Sequence, residues 1–325
     1  MRIIFTFSLL SLLLCVGCPQ PVPESNGKTT EQPVAVPDFN QPEPLVEPLV
    51  PRERPTEGTP EETTGIVAEV LGQYAAEIVA NKDVPLPPLE DLAAQIDAYI
   101  TKIEESLEYL DGSPRYAADS GNIVRDAHAL ALVALALGLA EEDSRYKKSA
   151  SHIIAAAQSL AAAPNLEEGQ KAHAALKASL TKTETAMSLA WSDRVAVLTP
   201  AMKALPNLSS TVKRLTDTPR KLALISEQRM KQVFSQLAAM AVISQGTIPN
   251  VLETTKPDAM EEWKQYCEEF RDAAIKANAV AHQFAKDKAD GKDPDYAVFS
   301  AALKAMTESC DDCHKVFYPK AMGMQ

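Results

Sequence analysis

Two thiols and an imidazole crowd into five consecutive positions near the end of the chain, in "ESCDDCHKVF" (308–317), although the 325 residues hold only five Cys and five His. The pattern Cys310-x-x-Cys313-His314 is the attachment signature of a c-type haem. On an α-helix, residues i, i+3 and i+4 share one face. The two sulfurs can therefore bond the vinyl carbons of a porphyrin while the imidazole reaches its iron from the same side. Axial ligand, outer hydrogen bonds and burial would then set the potential of that iron. One covalent haem c is the predicted cofactor, with Cys310 and Cys313 as thioether attachments and His314 as the axial ligand.

The elements that must position this motif are helical. The run "YAVFSAALKAMTES" (296–309) precedes it and predicts a helix with Val298, Ala302, Leu303 and Met306 facing inward. Upstream, apolar residues recur at spacings of three and four between Pro, Gly and Asp breaks, and no useful strand alternation appears, so the fold class is all-α. Eight such stretches fall into two sets of four. "LDGSPR" (110–115) answers "LTDTPR" (215–220), and "AALKASLTKTETAM" (174–187) answers "AALKAMTESCDDCH" (301–314), which predicts two tandem four-helix bundles. The second set is longer, with the excess expected in the loops "GTIPNVLETTKPDAM" and "DKADGKDPDY". Superimposing the two "AALKA" runs puts Cys310 on Thr183, Cys313 on Ala186 and His314 on Met187. The first copy, 87–193, is thus expected to carry no haem, and the second, 194–325, to hold it.

The chain opens "MRIIFTFSLLSLLLCVGCPQP", with Arg2, an apolar run and then small residues before Cys18. That layout is an export signal. It resembles a bacterial lipoprotein signal, which implies a signal peptide over 1–17 and lipidation at Cys18, although Cys15 stands where Leu is usual. Eleven prolines between Pro19 and Pro60 forbid helix and sheet ladders, so 18–60 is predicted to be a disordered tether, followed by an extra helix and linker over 61–86. The expected location is the periplasmic side, lipid-anchored to a bacterial membrane.

A four-helix unit with CxxCH near the end of its last helix resembles the cytochrome c′ family, the class II c-type cytochromes. The resemblance covers about 195–321 and, without haem, about 87–193. It implies that Phe317 packs against the haem, while Tyr318 departs from the basic residue the family has there, a role left to Lys315 or Lys320. It also implies that the far side of the iron is either open or filled by a first-helix methionine. Met202 in "VLTPAMKALPNLSSTVKRL" is the candidate sixth metal ligand, with core packing as the alternative, and Met230 and Met240 are expected in the core. Family members pair through their first two helices, so a homodimer is implied, or a monomer in which the first copy covers that surface.

The function these features predict is single-electron transfer between exported redox proteins, not enzyme catalysis. The alternative is a five-coordinate haem that binds small gases, NO or CO. A third is a structural lipoprotein whose CxxCH holds zinc, which needs further clustered ligands. Cys267 is expected to be a buried free thiol, and His282 to be a core or surface histidine or to approach the haem. His128, His152 and His173 lack metal-ligand spacing, and the carboxylates sit on polar helix faces. No phosphate loop or nucleophile elbow appears. A formal charge of −12 excludes bulk neutralisation of nucleic-acid phosphates.

Overall fold

The computed structural model describes residues 84–111, 116–183 and 188–319, without the side chain of residue 117. The signal, Cys18, the tether, the helix expected near 65–80, Met187 and Lys320 lie outside these residues. Gly58–Gln325 forms one compact unit, and the described residues all belong to it.

These residues are helical, with no strand among them. Eight longer helices run in order: α1 (Leu89–Tyr109), α2 (Gly121–Leu139), α3 (Ala150–Ala161), α4 (Leu166–Ser179), α5 (Leu198–Thr216), α6 (Glu227–Gly246), α7 (Met260–Ala289) and α8 (Tyr296–Phe317). Local chemistry fixes several ends. Asn165, Thr218, Ser226 and Asp295 each cap a helix by accepting a backbone N–H from the first turn. At the end of α7, Gly291 takes φ +72°, while Lys292 N–H donates to the Asp287 carbonyl (2.9 Å) and Gly291 N–H to that of Lys288 (3.2 Å). This closes a left-handed C-terminal cap that glycine adopts without strain.

Two helices are buried on every side over most of their length and occupy the centre. In α2 each residue from Asp126 to Leu137 is buried, and in α6 each from Val233 to Gly246. Length and composition alone would let Gly121–Leu139 cross a membrane, yet the neighbouring helices bury most of it. Around α2 pack α1 and α3, with α4 closing against α3 and α1; around α6 pack α5 and α7, with α8 on α7. Between the two groups, α1 meets α6, α2 meets α5, and α2 meets α6. Gly246 permits the last contact, since a Cβ there would stand 2.6 Å from Leu132 Cδ2.

Polar bonds reinforce the same seam. Lys102 Nζ donates to Asn207 Oδ1 (3.2 Å) and pairs with buried Asp126 (3.0 Å). Asn278 Nδ2 donates to Asp91 (3.0 Å), and His282 Nε2 lies 2.7 Å from the same carboxylate while its ring stacks on Phe234 at 3.8 Å. The long loop after α6 holds a short 3-10 helix, Ile248–Glu253, which the sequence does not announce. Of the four residues predicted to face inward on α8, Ala302, Leu303 and Met306 do, but Val298 is 51% exposed and Phe299 is buried in its stead. Phe299 lies one residue round the helix and meets Phe284 of α7 at 5.9 Å between centroids. The larger apolar side chain takes the core.

Candidate functional site

Cys310, Cys313 and His314 lie on the last turns of α8 and line one cavity of about 570 Å³. That size falls inside the roughly 300–1,000 Å³ range of cofactor sites. Met306, Ser309 and Asp311 complete this wall, with Tyr318 just beyond the helix. Trp263, Tyr266, Cys267 and Phe270 of α7 form a second wall, at offsets that put four side chains on one helical face. Met240 and Ser244 come from α6, and α5 supplies Met202, Lys203, Leu205, Pro206, Ser209 and Lys213. The candidate sixth ligand therefore shares the cavity with His314 but sits on another helix.

The thiols are set in a low-polarity surface. Burial, then the Cys310 sulfur and Glu262, push the Cys313 thiol up to about 12. Burial and Asp311 raise Cys310, against an opposing pull from Lys213. Fully buried Cys267 is raised well above its ordinary value, by burial first and the Cys313 sulfur second. All three are held as neutral thiols, suited to packing and thioether formation rather than to attack as thiolates. Ser309 Oγ is buried without a protein partner among the described residues, so a bound group could satisfy it.

Phe317 does not line the cavity. It is fully buried behind it, edge-on to Trp263 (5.1 Å between centroids) and Tyr266 (6.1 Å), and its carbonyl accepts from Thr255 Oγ1 at 2.5 Å. Any contact it makes with a bound group passes through those two rings. Tyr318, at the position where the family has a basic residue, does line the cavity, whereas Lys315 lies on the surface paired with Asp312 (2.6 Å). Among the described residues the cavity's unpaired cations are Lys203 and Lys213, which reading the motif alone does not find. Met240 reaches the cavity and Met230 does not. His282 stays at the α1 seam, and His173 is buried with Nε2 unpartnered among the described residues. Among the described residues no three His, Cys, Asp or Glu side chains converge to hold a metal ion.

A second cavity of about 600 Å³ opens where α2 and α3 meet the segment before α5, lined by His128, Gln158, Arg194, Val195, Val197 and Glu253, among others. Its polar groups hold the chain together. Gln158 Nε2 donates to the Val195 carbonyl (3.0 Å), Asn250 Nδ2 to that of Ala196 (2.9 Å), and Val197 N–H to His128 Nδ1 (3.4 Å). Burial lowers the His128 pKa, against an opposing effect of Glu253.

No family model matches the chain, and no curated protein or solved structure is found similar to it.

Proposed function

We propose that the protein is an exported, membrane-tethered monohaem c-type cytochrome that passes single electrons between redox proteins. The observation that carries this is the convergence of Cys310, Cys313 and His314 on one wall of a largely apolar cavity of about 570 Å³. Cys310 and Cys313 would hold the haem covalently and His314 would ligate its iron, which supplies reversible one-electron exchange. The chain's part is to orient and enclose: α7 offers aromatic walls, α6 contributes buried Met240, and α5 contributes Met202 to the lining. Lys203 and Lys213 are the cations available to the group's carboxylates.

We further read the eight helices as two four-helix copies fused about a pseudo-twofold axis. The packing supports this. First helix meets second helix in both directions, α1 with α6 and α5 with α2, and the second helices meet each other. That reciprocity characterises an isologous interface. "LDGSPR" and "LTDTPR" are 105 positions apart, and the hydrogen-bonded pair Lys102 and Asn207 is separated by the same 105. A residue touching its own equivalent lies on the axis. The first copy thus occupies the surface through which a partner subunit would pair, so the protein is a monomer.

The test is an optical spectrum of the chain expressed with haem maturation, oxidised, reduced, and reduced under CO. Covalent haem with a sharp reduced spectrum unmoved by CO is the expected result. A high-spin spectrum that shifts with CO transfers the reading to gas binding, and no covalent haem overturns it.

A further inference from the structure

The N-terminal part of α5 is held in an unusual way. A helix begins with four unpaired N–H groups, and here the N-cap, Val197, contributes no side-chain bond. The cap comes from 55 positions away: Glu253 Oε2 accepts the Leu198 N–H at 2.8 Å. Its other oxygen accepts from Asn250 Nδ2 at 2.7 Å and pairs with Arg194. Burial alone would raise this carboxyl, but those bonds outweigh it and keep it low, hence ionised against the positive end of the helix. Val197 is tied in parallel to His128.

Two turns later the helix is weakened. Pro206 lies inside α5, and its missing N–H takes away the bond that the Met202 carbonyl would accept. Between the Glu253 cap and this break sit Thr199, Met202, Lys203 and Leu205, which line the cofactor cavity. Across that cavity, α8 faces them. Glu253 also lies near both sites: it lines the second cavity, and its charge raises Tyr318 of the first, after burial and Cys313.

We propose that Leu198–Leu205 is a movable wall of the cofactor cavity, hinged at Pro206 and latched by Glu253, and that the latch governs access to the sixth position of the iron. The second half of this inference rests on the haem reading above; the first half does not. Glu253 is a positioning residue, acting on Met202 through the helix that carries it. Leu198, Ala201, Ala204 and Leu205 are buried and oppose the opening, and loss of a single cap interaction shifts the local equilibrium about tenfold.

The experiment is amide hydrogen exchange on the full chain, both haem-loaded and with Cys310→Ala and Cys313→Ala, joined to CO association kinetics on the loaded form. Glu253→Ala should raise exchange at 198–205 about tenfold in both forms and speed CO association comparably, with the haem still attached. Pro206→Ala, which restores the missing bond, should slow both, and Glu253→Asp should recover part of the latch. Unchanged exchange at 198–205 in Glu253→Ala and Pro206→Ala overturns the hinge. Raised exchange with unchanged CO association overturns the control of access. Absence of covalent haem sinks the haem reading while the exchange data still decide the hinge.

Discussion

Replacing Phe317 by Ala separates scaffold from cofactor contact. The family resemblance makes this ring a haem neighbour, but its side chain is fully buried behind Trp263 and Tyr266, meeting both edge-on. Truncating a fully buried Phe costs about 3–5 kcal/mol, the edge-to-face contacts placing this one toward the upper half. For a unit of this size each kcal/mol moves the midpoint by about 2–4 °C, so a fall of roughly 8–20 °C is expected. The assay is thermal unfolding followed by far-ultraviolet circular dichroism, run on the haem-loaded chain and on the chain lacking both motif cysteines. The structure requires a large loss in each, because the rings Phe317 touches belong to α7. A loss below about 1 kcal/mol in the haem-free chain, with a large one in the loaded chain, would refute the reasoning and return Phe317 to the haem.

Three further outcomes are expected. Burial lowers the pKa of His128 and His173 from the ordinary 6.5, so the unfolded chain binds protons that the folded one does not. Their stability contribution is complete above about pH 6.5 and is lost as pH falls through the lowered values; the melting temperature should drop between pH 7.5 and 5, less so in His128→Asn with His173→Asn, and equal slopes would count against it. Met202→Ala in the loaded chain should leave attachment intact and convert the iron to a form that binds CO about tenfold faster or more; an unchanged spectrum and CO rate would make Met202 a packing residue only. Sedimentation should give one species at the mass of a single chain, and a stable dimer would count against the fused pseudo-twofold arrangement.

Helices with one apolar stripe were readable from spacing, as Leu92, Ile96, Tyr99 and Ile103 of α1 illustrate. The motif also placed its own three side chains, since helical geometry leaves little choice once α8 is a helix. Position across the molecule was another matter. Val298 and Phe299 are both apolar, and only packing against Phe284 decides which turns inward. Glu253 caps a helix from 55 positions away, and Asp91 meets His282 across 191. No local pattern encodes either, because the first depends on how the loop after α6 folds back on α5 and the second on how one helix group lies on the other. The aromatic wall of α7 was within reach, as Trp263, Tyr266, Cys267 and Phe270 share one face, yet nothing in their types distinguishes a cavity wall from ordinary core.

The long buried stretches of α2 and α6 bear on how the chain can be divided. Each presents apolar residues in all directions, and each covers part of the other. Cut between 193 and 194, either fragment would expose a contiguous strip of Leu, Ala, Val and Ile to water, an association hazard well beyond a scattered surface residue. The C-terminal portion is therefore not a detachable module: limited proteolysis should yield no soluble C-terminal core, and both portions should unfold in one cooperative transition.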